Sequence, residues 1–380
     1  MAAGQSPAPA PAPAPDPEPA PAPAPDVDTA NARAALGRRL LRRTTASGQF
    51  TIPAVPGMVD ECLQICLASF AAVGVHFAAD EQDHLRSTLA SQLTEAFAAS
   101  PRSQIVVTWE SPLGASASYQ IRCQWASLQD SYEQWQETRT PPYFGTHPDA
   151  RVVSLAAEAT DPAAFPILDI GAGTGRNALA LARRGHPVDA VDITPAFAQA
   201  LHAEAVAEGL PVRVAQRDVF APDASLRSDY QLIVVSEVVP DFRSVDQLTG
   251  LFTLAARRLA PGGRLVFNVF LARAGYQPDD AARQFGQQCY SAIFSYADLA
   301  WASALLPLER VSDDSVYEYE KAHLPADAWP PTGWYVDWVD GLDVFETTRE
   351  QCPIEMRWLV YRKLGPAMGR SGAGNSPIDW

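Results

Sequence analysis

The stretch Pro166-Ile167-Leu168-Asp169-Ile170-Gly171-Ala172-Gly173-Thr174-Gly175-Arg176-Asn177 decides how the second half of this chain folds. A short apolar run of this kind reads as a strand buried on both faces of a sheet. Glycines then follow at 171, 173 and 175. Glycine lets the backbone turn sharply and leaves bare main chain against which a ligand can lie. From Arg176 the pattern predicts a helix. Its first N–H groups have no partner inside the helix and point back at the turn, which suits an anionic group. A dinucleotide-binding turn carries a further glycine three places after the second one. Arg176 holds that place here, so the spacing speaks against a nicotinamide or flavin dinucleotide.

Four more apolar runs follow: Pro187–Val191, Val212–Ala215, Leu232–Val235 and Arg264–Asn268. Helical stretches separate them, which predicts parallel βαβ units. Two acids stand at strand ends. Asp192 closes the second run and can accept both hydroxyls of a ribose. Asp218, in Arg217-Asp218-Val219, follows the third and can accept from an exocyclic adenine amine. Open α/β sheets bind ligands beyond the carboxyl ends of their strands, where all three features fall.

At these residues the sequence resembles the class I S-adenosylmethionine-dependent methyltransferases. The segment 169–177 is similar to the version in tellurite-resistance-type small-molecule methyltransferases. The resemblance covers about residues 140 to 270. It implies a Rossmann-like α/β fold with a seven-stranded, mostly parallel sheet, helices on both faces and an antiparallel final strand. It also implies S-adenosyl-L-methionine as the methyl donor. Asp169 and the loop Gly171, Ala172, Gly173 and Gly175 would hold its methionine part. Asp192 with Ile193 would hold the ribose, Asp218 with Val219 the adenine, and Ser236 would complete the pocket. No metal is implied, and no Cys/His spacing suggests one.

The sulfonium already activates the methyl group, so the protein must mainly align an acceptor and exclude water. A base is needed only where the acceptor must lose a proton. Ser236-Glu237-Val238-Val239-Pro240-Asp241 follows the fourth strand, and Glu237 and Asp241 are the catalytic candidates. An Asn-Pro-Pro-Tyr type of motif, which accompanies methylation of DNA or glutamine amino groups, is missing from this point. Upstream, Tyr132–Trp135 and Tyr143–His147 could close over the cofactor, with Tyr143 as the expected contact. Late in the chain, residues 322–352 bring Trp329, Trp334, Tyr335 and Trp338 into an aromatic insertion that could wall an apolar or planar substrate pocket.

The rest of the 380 residues bounds the reading. A net charge of -15 speaks against nucleic acid and against an anionic membrane as partners. No apolar run approaches the roughly 18 residues of a membrane span. Five scattered cysteines and no secretory start predict a cytoplasmic protein. Residues 1–50 read as a Pro/Ala-rich arm followed by a basic linker, 51–130 as a small α+β accessory module and 131–364 as the methyltransferase domain. The tail 365–380 is expected to be disordered. Within the module, Met58–Val73 and Ala79–Ala98 predict helices. Gln104–Trp109 and Ser118–Cys123 predict a hairpin turning at Pro112-Leu113-Gly114. Ser315–Tyr319 and Glu355–Tyr361 alternate like edge strands. The expected activity is methyl transfer to a small-molecule acceptor. A protein methyltransferase whose module docks its target, and a non-catalytic cofactor-binding regulator, stand as alternatives. The sequence leaves the oligomeric state open.

Overall fold

The computed structural model describes residues 28–111, 118–221 and 225–365. The Pro/Ala arm, the hairpin turn at 112–114 and the tail from 366 lie outside them.

The strands, in chain order, are β1 (Ala46–Pro53), β2 (Gln104–Ser111), β3 (Ser118–Gln124), β4 (Ile167–Ile170), β5 (Val188–Asp192) and β6 (Val212–Gln216). They continue with β7 (Tyr230–Val235), β8 (Leu259–Ala272), β9 (Ile293–Phe294), β10 (Leu308–Ser315) and β11 (Ile354–Lys363). The main sheet runs β10-β11-β8-β7-β4-β5-β6. β4 to β8 are parallel, and β11 inserts antiparallel between β8 and β10. The seven expected strands and the antiparallel last one are therefore present, with the two-residue β9 added beside β8.

Both faces of this sheet are covered, and the alternation along each strand shows why the runs are apolar throughout. Ile167, Val188, Leu232 and Val266 enter the core on one face. Their neighbours Leu168, Val191, Ile233 and Leu265 enter the core on the other. Strands with no wet face cannot alternate polar and apolar residues.

The N-terminal module has its own core. Helices Val59–Ala71 and Ala79–Ala99 pack Phe70, Leu85, Leu89 and Leu93 onto the antiparallel sheet β1-β2-β3. Two readings need correction here. Residues 29–50 are not a plain linker: Thr29–Leu41 is a helix capped by Asp28, and β1 begins at Ala46 and pairs with β2 along its whole length. Ser315–Tyr319 is not a strand either. β10 ends at Ser315, whose hydroxyl caps the helix Val316–His323. The helix wins because it buries Val316 and Glu320 on one side, four residues apart.

The module is pinned to the large domain. Arg243 donates to the carbonyls of Phe97, Ala98 and Ala99, at the negative end of a module helix. Gln284 accepts from Gly57 N at 2.7 Å. Arg102 reaches deepest. It donates to Gln287 O and Gln288 O, forms a buried ion pair with Asp241, and lies 3.5 Å from the centre of the Tyr290 ring.

Candidate functional site

A cavity of about 220 Å³ opens at the carboxyl ends of β4, β5, β6 and β7. The turn after β4 forms its floor. Gly171 and Gly173 both have positive φ, +68° and +55°. A Cβ on Gly171 would collide with the Val238 side chain, and one on Gly173 would sit 3.3 Å from the Phe144 ring. Both glycines keep the turn thin where the cavity lies. Gly175, also at positive φ, behaves differently: it does not line the cavity, and its missing Cβ makes room for Leu179 and Leu201. Gly175 thus has a packing role at the start of the helix.

Asp192 locks the turn to the next strand. Its two oxygens accept from Gly173 N at 2.7 Å and Thr194 N at 2.8 Å. A carboxylate has about four acceptor sites, so capacity remains for hydroxyls. Burial raises its carboxyl from the usual range, and the two backbone N–H groups pull it back. Asp218 lines the same cavity and accepts from Phe220 N at 2.9 Å. Asp169, Ala172, Ile193, Val219 and Ser236 line it as well. The turn, the strand-end acids and the fourth-strand residue thus line one cavity. On the open side stand Leu128, Tyr132 and Phe144; Tyr143, the expected contact, packs behind Phe144 and Phe197 instead.

Beside the turn lies a buried ionic network that sequence reasoning missed. Asp149 accepts from Arg176, from the Asn177 amide at 2.8 Å and from the Ser236 hydroxyl at 2.6 Å. Arg176 also holds Glu237, with Nη2 2.6 Å from Oε1. Burial works against the guanidinium's charge, but Asp149 and Glu237 outweigh it and strengthen its hold on the proton. Burial pushes Glu237 up to about 7, with Arg176 opposing. Asp169 rises further, to about 8, because it is fully buried and close to Asp149. Its Oδ2 is a buried acceptor without a donor. Asp149 gave no sequence signal beyond its place before a short helix, because its partners lie 27 to 87 residues away.

Glu237 stands at φ +60°, with its N–H held by Asn268 Oδ1 at 2.7 Å. A bulky residue in this region costs roughly 1–3 kcal/mol and persists only when neighbours fix it. The turn aims Glu237 between the first cavity and a second chamber of about 180 Å³. Asp241 reaches both spaces too, but its oxygens are taken by Arg102 and by Tyr132 Oη at 2.6 Å. It acts as an anchor point between module and domain. Trp334 and Trp338 from the aromatic insertion wall the second chamber, while Trp329 packs on Tyr317 and Tyr335. Among the described residues, no cluster of His, Cys, Asp and Glu could hold a metal ion. None of their helices is long and apolar enough to cross a membrane.

Residues 167–263 match the model of a family described as a methyltransferase domain. A demethylmenaquinone methyltransferase of Tropheryma whipplei (strain Twist) is 36% identical over 101 residues, 26% of this chain and 39% of that protein. A ribosomal protein L11 methyltransferase of Bordetella parapertussis is 30% identical over 142 residues, 37% of this chain and 42% of that protein. The chain thus spans about two-fifths of the length of these curated relatives. Among solved structures, geranyl diphosphate C-methyltransferase from Streptomyces coelicolor A3(2) aligns at 17% identity and a TM-score of 0.44, over 57% of this chain and 80% of that one. The family match falls on the stretch from β4 to the start of β8, the parallel part of the main sheet.

Proposed function

We propose that this protein transfers the methyl group of S-adenosylmethionine to a small-molecule acceptor. The observation that carries the reading is the meeting of the glycine turn, Asp192 and Asp218 in one cavity. The residues fit the donor. The thin turn admits a ligand against main chain, Asp192 has acceptor sites to spare for a ribose, and the orphaned Asp169 Oδ2 can accept a hydrogen bond from an ammonium group. When bound, the donor supplies a methyl group already activated by its sulfonium.

The chain's own residues then do four things. The glycine turn and Asp192 hold the donor at the strand ends. Leu128, Tyr132 and Phe144 cover it and exclude water. The second chamber orients the acceptor. Glu237, between the two spaces and lifted to about 7, is suited to take a proton near neutral pH. The small size of the chamber, about 180 Å³, favours a small acceptor over a protein segment. Calorimetric titration with S-adenosylmethionine tests the assignment: one site in the micromolar range is expected, and no binding by the intact protein would overturn it.

A further inference from the structure

We infer that the second chamber takes an organic ammonium: an amine with a compact apolar body is the methyl acceptor. This rests on the methyl-donor reading above and names its substrate.

Six rings wall the chamber: Tyr132, Trp135, Phe144, Tyr290, Trp334 and Trp338. They come from four separate parts of the chain, so no single segment accounts for them. The faces of such rings carry negative potential and attract cations. Two of them already do so here. The Arg139 guanidinium lies 4.5 Å from the Trp135 ring centre, and Arg102 lies 3.5 Å from that of Tyr290. The other rings are held by their neighbours: Phe144 stacks on Trp135 at 5.2 Å, Tyr132 meets Tyr290 at 5.9 Å, Trp334 meets Trp338 at 5.5 Å, and Trp338 Nε1 donates to Tyr290 O at 3.0 Å. Tyr290 sits at φ +55°, a second bulky residue held at positive φ beside this space.

The charges point the same way. Glu237 faces the chamber from inside, and Asp343 stands exposed at its edge. Asp241 and Arg102 neutralise each other. Arg176 is shared between Glu237 and Asp149. Among the chamber's own lining this leaves the acids Glu237 and Asp343 against the single cation Arg139. An anionic acceptor would meet this surplus; a cationic one would offset it. The volume suits a compact body, since an apolar cavity of about 150 Å³ accommodates a benzene ring.

The chemistry balances. An alkylamine near neutral pH is protonated, as the lysine reference of about 10.4 shows, and has no free electron pair. Inside the chamber its N–H bond breaks and the proton passes to the Glu237 carboxylate. The freed pair on nitrogen then forms the new N–C bond. The C–S bond breaks, its electrons stay on sulfur, and the cationic charge moves to the methylated nitrogen.

A pair of isosteric probes decides the matter. The full-length protein, with and without saturating S-adenosylhomocysteine, is titrated with choline and with its neutral isostere 3,3-dimethylbutan-1-ol. The ammonium should bind about tenfold tighter than the alcohol, the scale of a desolvated cation–ring contact. Asp343→Asn and Trp334→Ala should each reduce that preference severalfold and leave S-adenosylhomocysteine binding unchanged. Equal or tighter binding of the alcohol overturns the inference, as does a preference that survives both substitutions. Ammonium selectivity without any S-adenosylhomocysteine binding sustains the chamber's ligand class and overturns the donor assignment instead.

Discussion

Arg176 Nη2 lies 2.6 Å from Glu237 Oε1, so the residue that opens the helix after the glycine turn also fixes the acid after the fourth strand. The same guanidinium holds Asp149, and its side chain is only 8% exposed. Removing one partner of a buried pair leaves the others uncompensated, at a cost of about 3–5 kcal/mol. Arg176→Met should therefore lower the free energy of unfolding by that amount in urea titrations. Arg176→Lys, which keeps the charge and loses the fork, should recover part of it. A loss below about 1 kcal/mol in the methionine variant would mean the network does not hold the turn.

Asp192 has two tasks, and a substitution separates them. It ties Gly173 and Thr194 to the end of β5, and in the proposed reading it would offer acceptors to the donor's ribose. Hydrogen bonds to a charged group contribute about 1.5–3 kcal/mol each. Asp192→Ala should weaken S-adenosylmethionine at least tenfold in calorimetry, while Asp192→Asn, which still accepts, should lose less. Undiminished binding by the alanine variant would remove Asp192 from the donor site.

The raised carboxyl of Glu237 sets a pH dependence. The groups acting on it are Arg176 and Asp149, with the Tyr335 hydroxyl also within its field. With its carboxyl at about 7, turnover should climb about tenfold per pH unit below that value and level off above it. Glu237→Gln should lower the rate by about 10²–10⁴ and flatten the profile. A profile unchanged by that substitution would dismiss Glu237 as the base.

Stability should move the other way with pH. Asp169 at about 8, and Glu237 and Glu320 at about 7, all lie above their unfolded values because burial disfavours their charge. Between the unfolded and folded values the native state binds more protons than the unfolded one, so stability falls as pH rises from about 4 to 8. Thermal midpoints should be higher at pH 5.5 than at pH 8, and Asp169→Asn should shrink the difference. A midpoint that rises over this range would show that other groups dominate.

Trp334 offers a test of the aromatic insertion that leaves the donor aside. It lines the second chamber and not the first. Trp334→Ala should cut turnover several-fold or more and leave donor affinity within about twofold. Unchanged turnover would remove the insertion from acceptor binding.

What the sequence made legible was local or strongly patterned. The parallel strands were readable because burial on both faces forces unbroken apolar runs. The turn was readable because Gly171 and Gly173 need positive φ and a close approach. β1 was not, since Ala-Ser-Gly-Gln-Phe-Thr-Ile-Pro mixes polar residues, glycine and proline and follows a basic stretch. Ser315–Tyr319 misled because Val316, Tyr317 and Tyr319 favour strands, while the decisive burial of Glu320 depends on Trp358 and on the N–H groups of Ala150 and Arg151. The second chamber was readable only in part: Trp334 and Trp338 were expected to wall a pocket, but their meeting with Tyr132, Trp135, Phe144 and Tyr290 was not. Its rings lie between residues 132 and 338, and only the fold brings them together.

The Arg102–Asp241 pair carries a consequence for engineering. The module's arginine is 6% exposed and its partner 8%, so each charge is tolerated only in the other's company. A large domain severed from the module would leave Asp241 with Tyr132 as its remaining side-chain partner, beside Glu237. A chimera that exchanged either part would have to keep this pair or change both of its members together.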